Sequence, residues 1–108
     1  MTQTVQDAVR ILREHTGQQI VGNLLDDGEG RCAMGVLGGS DLVRTDDGME
    51  RWRGKCDRVE FQIGAEFGLA DAEVEDILDW NDGQPKCSFA EIADRIEQAS
   101  SPTGKWGI

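Results

Sequence analysis

The fold is decided by residues 57–82, which read DRVEFQIGAEFGLADAEVEDILDWND. Apolar residues recur at every fourth position in the first half, which is the spacing of one helix face. They are Val59, Ile63 and Phe67. Gly68 suits the position just beyond a helix end, and Asp71 suits the cap of a second helix, Ala72–Trp80. The stretch therefore predicts two helices joined by a tight turn.

The same stretch carries an unusual block of negative charge. From Glu60 to Asp82 there are eight acidic residues and no Lys, Arg or His. A helical face of this charge repels nucleic acid and acidic membranes and attracts basic protein surfaces. We therefore interpret six acids as candidate partner-binding residues. They are Asp71, Glu73, Glu75, Asp76, Asp79 and Asp82.

Composition sets the broad class of the protein. The 108 residues predict one domain, and their net charge of −10 argues against general nucleic-acid binding. The spacing of Gly64, Gly68 and Val74 resembles a helix-turn-helix unit, but an acidic second helix favours an αα-corner used for packing. No apolar segment has the length of a membrane span or the form of a signal peptide, so we expect a cytoplasmic protein without membrane contact.

Three further helices are predicted outside the acidic block. Val5–His15 has an apolar stripe and a capping Thr4, and Phe89–Ala99 follows a capping box that begins at Ser88. Cys32–Gly39 is compact and apolar, and its glycines suggest the close approach of another backbone. The segment Gln18–Leu25 is compatible with either a short helix or a buried strand.

A small β-hairpin is predicted over Leu42–Trp52, with Asp47–Gly48 as a type I′ turn. The segment 100–108 contains one proline and two glycines and is expected to be a loose tail, in which Trp106 is disordered, folded back as a cover, or a docking anchor. The predicted fold is thus mainly α, a compact single domain over residues 1–99 with four or five short helices, with or without one small hairpin.

A second interpretation places a small anion at the start of the Cys32 helix. Arg31, Cys32, Gly35 and Asn81 would then form a ligand-binding site for a nucleotide-like anion. The wide spacing of the three cysteines does not indicate a metal site, and we expect no metal and no cofactor. The only histidine, His15, has no obvious catalytic partner, so we expect a protein that is not an enzyme.

Two blocks of sequence resemble a known group. The segment Cys32–Leu37, CAMGVL, is similar to a motif in small uncharacterised proteins of tailed phages and prophages. Asp79–Gly83 followed by Ser88–Ile96 resembles the Asn-Asp…Ser-Phe-x-Glu-Ile-Ala ending of the same group. The resemblance covers about a third of the chain and implies a phage-type setting rather than a mechanism. Ala33 stands where a second cysteine is common in that group.

These observations lead to two functional hypotheses. The first is a non-enzymatic accessory protein of phage type that binds and modulates a host protein with a basic surface, such as a nucleic-acid-handling enzyme, through the acidic helix. The alternative is a protein that binds or sequesters a small nucleotide-like anion. Salt dependence separates the two, because docking through exposed charges weakens steeply with ionic strength.

Overall fold

The computed structural model describes residues 3–26, 28 and 30–107. This part of the chain forms five α-helices and one antiparallel pair of short strands, so the predicted mainly α fold with a small hairpin is confirmed. The elements are α1 (Val5–Glu14), α2 (Ala33–Gly38), β1 (Leu42–Arg44), β2 (Glu50–Trp52), α3 (Val59–Glu66), α4 (Asp71–Asp82) and α5 (Phe89–Ser100). None of the described helices combines the length and the apolar character needed to cross a membrane.

The short helix α2 lies at the centre of the molecule. All six of its residues are buried, and it packs against α1, α3 and α4. The predicted close approach of another backbone is confirmed at Gly35, where an added Cβ would lie 1.9 Å from the carbonyl oxygen of Leu24. A side chain at this position would push the loop before α2 out of the core.

The outer helices α1 and α5 pack side by side and cover one side of the core. Their starts are fixed by the predicted local signals. The hydroxyl of Thr4 accepts the amide of Asp7, and in α5 the amide of Glu91 donates to the Ser88 hydroxyl at 3.2 Å. The guanidinium of Arg13 contacts the carboxylates of Asp94 and Glu97, which joins the two helices at their exposed edge.

The acidic stretch forms the predicted αα-corner. An added Cβ at Gly64 would lie 2.3 Å from Val74, so the absence of a side chain allows α3 and α4 to pack closely. The prediction that Asp71 caps α4 is wrong, because Ala70 holds the cap position and Asp71 is the first helical residue. Instead, the carboxylate of Glu73 accepts a hydrogen bond from the amide of Ala70 at 2.7 Å, which satisfies the backbone amide of the cap residue. The helix continues to Asp82, two residues beyond the predicted end.

The hairpin is present, but its turn differs from the predicted type. Leu42 pairs with Trp52 and Arg44 with Glu50. A type I′ turn needs positive φ at both central residues, whereas in the Asp47–Gly48 pair only Gly48 has it, at +82°. The amide of Gly48 donates to the Thr45 carbonyl, which closes a tight turn in which the glycine takes the left-handed position. The five residues 45–49 between the strands then suffice to reverse the chain.

The ambiguous segment before α2 is neither a helix nor a regular strand. The amide of Ile20 donates to the Arg31 carbonyl at 3.0 Å, and the amide of Arg31 donates to the Gln18 carbonyl at 2.9 Å. These two isolated bonds hold the loop against the residue that precedes Cys32. The loop is thereby placed over the start of α2 and the end of α4.

The C-terminal segment differs from the predicted loose tail. Its turns fold back onto α4 and α5, and the amide of Trp106 donates to the Ala99 carbonyl at 2.7 Å. The indole ring of Trp106 stacks on that of Trp80, with 5.6 Å between ring centroids. Of the three roles considered for Trp106, the structure shows the folded-back cover. The last residue of the predicted tail, Ile108, lies outside the described residues.

Candidate functional site

The helix α4 has three distinct faces. Its inner face is buried through Val74, Ile77 and Asn81. Successive residues of a helix are rotated by about 100° around its axis. At this rotation the exposed residues of α4 span an arc of about 100° around the axis. They are Asp71, Ala72, Glu75, Asp79 and Asp82. We name the four acids of this arc the acidic stripe. The third face, beside it, carries Trp80 and lies under the C-terminal segment.

The four acids of the stripe differ in their partners. The carboxylate of Asp71 accepts from the Arg58 guanidinium at 2.8 Å, and Asp82 accepts from the side-chain amide of Asn81 at 2.8 Å. Within the part of the chain that the structure describes, Glu75 and Asp79 form neither an ion pair nor a hydrogen bond. These two exposed carboxylates lie one helical turn apart and are available to a partner.

Two of the six candidate acids do not belong to the stripe. Glu73 accepts the amide of Ala70 and serves its own helix start. Asp76 faces the C-terminal segment, where it accepts from the Trp106 indole N–H at 2.8 Å and from the Lys105 ammonium at 3.2 Å. The Trp106 hydrogen bond, with a smaller effect of Lys105, holds the pKa of the Asp76 carboxyl below its usual range. The sequence pattern had treated all six as one surface, and the structure separates them.

A cleft with a volume of about 160 Å³ adjoins the stripe at Asp82. Its walls contain three carboxylates, from Glu50, Glu60 and Asp82, and the apolar side chain of Leu78. One of these acids has a structural role, because Glu50 accepts the amides of Leu24 and Leu25 at 2.7 and 2.9 Å. The cleft extends the negative potential of the stripe without adding a cation to its lining.

The alternative ligand site is replaced by a structural network around Asn81. This side chain is fully buried, and its oxygen accepts the Ala33 amide at 3.0 Å and the Gln19 side-chain amide at 2.9 Å. Its nitrogen donates to the Ile20 carbonyl at 2.8 Å. Asn81 therefore caps α2 from a different helix and occupies the place that the anion was expected to take.

The other residues of the predicted anion site are also engaged within the fold. The guanidinium of Arg31 donates to the carbonyls of Gly35 and Gly39, so it lies toward the end of α2 and not at its start. Burial raises the pKa of the Cys32 thiol to about 11, which keeps it protonated and unreactive at neutral pH. Arg31 and the start of α2 do not share a site, as the anion hypothesis required.

The other two cysteines differ in exposure. Without a metal site, the sequence predicts inert thiols that are buried or partly buried. Cys87 is buried, whereas Cys56 is exposed in the loop after β2 and differs from this prediction. Among the residues that the structure describes, no group of three or more His, Cys, Asp or Glu side chains could hold a metal ion.

The C-terminal contact is the feature that sequence reasoning underestimated. A Cβ added to Gly104 would lie 1.9 Å from the Gln98 carbonyl oxygen, and one added to Gly107 would lie 2.2 Å from that of Ser101. The two glycines thus allow the segment to lie directly on the end of α5. A Lys-Trp pair flanked by glycines was the available signal, since glycine in a tail also permits close backbone approach.

Comparison with known proteins adds no further assignment. No protein-family model matches the chain, and neither the curated proteins nor the solved structures contain a significant match.

Proposed function

We propose that this chain is a non-enzymatic protein-binding module that docks on a basic protein surface through the acidic stripe of α4. The observation that carries the proposal is the pair Glu75 and Asp79, two exposed carboxylates one turn apart without an ion-pair partner among the described residues. The acid-lined cleft beside Asp82 supports a cationic partner. The phage resemblance makes a host protein the partner that we propose.

The distribution of cations supports the same conclusion. The chain has 21 acidic residues and 11 Lys and Arg, so its acids cannot each have a cation of their own. Arg53 contacts both Asp41 and Glu66, and Arg58 is taken by Asp71. Exposed acids such as those of the stripe steer a basic partner and raise the association rate more than they increase the final affinity.

The test is a charge-neutral double variant of the stripe. Glu75→Gln with Asp79→Asn keeps side-chain size and removes two charges, and Glu14→Gln with Asp46→Asn removes the same two charges elsewhere on the exposed surface. A protein captured from host lysate by the wild type is purified, and its binding to all three forms is measured at low and at physiological salt. We expect the stripe variant to bind at least about tenfold more weakly, which is about 1.4 kcal/mol.

The control variant separates a docking surface from net charge. If both double variants lose the same affinity, the effect reflects total charge and the stripe has no special role. If the stripe variant binds as the wild type does, the proposal is wrong. A partner whose binding does not weaken with salt would also contradict docking through exposed carboxylates.

A further inference from the structure

The C-terminal segment resembles a bound peptide more than a continuation of α5. After Ser101 the chain reverses and places two adjacent side chains, Lys105 and Trp106, on the same carboxylate. The ammonium of Lys105 lies 3.2 Å from one oxygen of Asp76, and the indole N–H of Trp106 lies 2.8 Å from the other. The Trp106 ring also stacks on Trp80 with an interplanar angle of 20°. We name this contact the tail clasp.

We propose that the tail clasp covers a recognition site for a basic–aromatic dipeptide, and that a partner carrying Lys or Arg next to Trp displaces the tail from Trp80 and Asp76. The inference rests on the proposed function and adds the chemistry of the partner. Trp80 offers an aromatic face, and Asp76 offers two acceptors at a fixed distance from it. The tail occupies these groups with the chemistry that a partner from a basic surface would present.

The surroundings of the clasp support a contact that can open. The segment does not seal against the helices, because an open groove of about 360 Å³ lies between the tail, Trp80 and α5. Trp80 and Arg95 line this groove on the helix side, and Lys105 lines it on the tail side. Asp76 lies on the face of α4 next to the acidic stripe, so an opened clasp would extend the stripe by one carboxylate and an aromatic anchor. Aromatic side chains surrounded by polar contacts are frequent anchors of protein interfaces.

Competition by the tail predicts a measurable difference between closed and open forms. A tail that is closed in about nine molecules of ten lowers the apparent affinity of a competing peptide about tenfold. Because a tethered segment acts at a millimolar effective concentration, the free peptide must be titrated to about 10 mM. The probe is the peptide acetyl-Thr-Gly-Lys-Trp-Gly-amide, which copies residues 103–107.

The experiment follows the indole N–H resonances of the full-length protein by NMR. The variant Trp106→Ala opens the clasp, and the Trp52 indole serves as a reference because its N–H is buried on the Gly38 carbonyl. We expect saturable shifts of the Trp80 resonance in Trp106→Ala, with about tenfold weaker binding in the wild type. Should Trp106→Ala fail to fold, Gly104→Ala replaces it, because its added Cβ cannot fit beside the Gln98 carbonyl.

Two matched substitutions give the contact its specificity. In the opened protein, Asp76→Asn should weaken peptide binding at least about fivefold, because a neutral amide oxygen accepts more weakly than a carboxylate. Asp79→Asn removes the same charge from the acidic stripe and should change peptide binding less than about twofold. A peptide with leucine in place of tryptophan should not bind.

Each contrary result overturns the proposal. It is wrong if the opened protein is folded and the Trp80 resonance does not respond to the peptide, or if the leucine peptide binds equally well. If Asp76→Asn and Asp79→Asn lose the same peptide affinity, net charge explains the effect. If the peptide binds the wild type and the opened form with equal affinity, the tail does not cover the site. Failure of the stripe double variant alone would overturn the proposed function and leave the peptide result unchanged.

Discussion

Asn81 should contribute more to stability than any other polar side chain among the described residues, and Asn81→Ala tests this. The substitution leaves the buried Ala33 amide without its acceptor and removes the donor to the Ile20 carbonyl. A buried unsatisfied group costs about 1–3 kcal/mol, and each further lost hydrogen bond costs about 1 kcal/mol. We therefore expect a loss of about 3 kcal/mol in the free energy of unfolding, a large part of the about 5–15 kcal/mol typical of a domain.

Urea denaturation measures this loss. With a slope of about 1.5 kcal/mol per molar urea, the midpoint should fall by about 2 M. Asn23→Ala is the matched control, because Asn23 is exposed and has no hydrogen bond from its side chain within the described part of the chain. Its midpoint should stay within about 0.3 M of the wild type, as is usual for exposed sites. If Asn81→Ala unfolds at the wild-type midpoint, the network around α2 is not a source of stability.

Two further predictions concern a helix cap and the histidine. Ser88→Ala should lower the free energy of unfolding by about 1 kcal/mol, because the Glu91 amide loses its hydrogen-bond acceptor. Ser40→Ala, at an exposed position, should have little effect. Superimposable urea melts of the wild type and Ser88→Ala would contradict the role of Ser88 as a cap. Burial, with a smaller effect of the nearby Arg31 charge, lowers the pKa of His15 in the folded state below the ordinary value of 6.5. The contribution of the neutral imidazole to stability is therefore complete above pH 6.5, and it is lost as the pH falls below 6.5 toward the folded pKa. Urea melts between pH 8 and 5 should therefore show a stronger loss of stability in the wild type than in His15→Gln, and parallel pH profiles would refute this assignment.

The elements that the sequence predicted correctly depend on local signals. Ser88 and Glu91 lie three residues apart and satisfy each other, so the start of α5 can be read without knowledge of the rest of the fold. The apolar spacing of α3 and the left-handed Gly68 are local in the same sense. Periodicity also predicts that α4 buries Val74, Ile77 and Leu78. Val74 and Ile77 are fully buried, whereas Leu78 is only partly buried and lines the cleft.

The misassigned residues depend on contacts between distant parts of the chain. The sequence ends the helix before Asn81 and assigns this residue to an anion site, because its partners Gln19 and Ile20 lie about sixty positions earlier and leave no local signal. Arg58 engages Asp71 and the C-terminal segment engages Asp76, and neither contact can be seen in the periodicity of α4. Hydrophobic patterns predict which side of a helix is buried, but they do not predict which exposed acids will find a partner.

The acidic stripe is expected to contribute to association with a partner rather than to the stability of the fold. Exposed pairs contribute only about 0–1 kcal/mol each, so pairing Glu75 or Asp79 internally would have added little to the fold. Glu73 provides the hydrogen bond at the helix start, and Asp76 provides the contact with the tail. Neither Glu75 nor Asp79 is therefore needed for α4 to form. Their substitution should therefore affect binding without affecting folding. That separation makes the stripe variant an informative test, because affinity lost in a folded stripe variant, and kept in the Glu14 and Asp46 control, is explained by the surface itself.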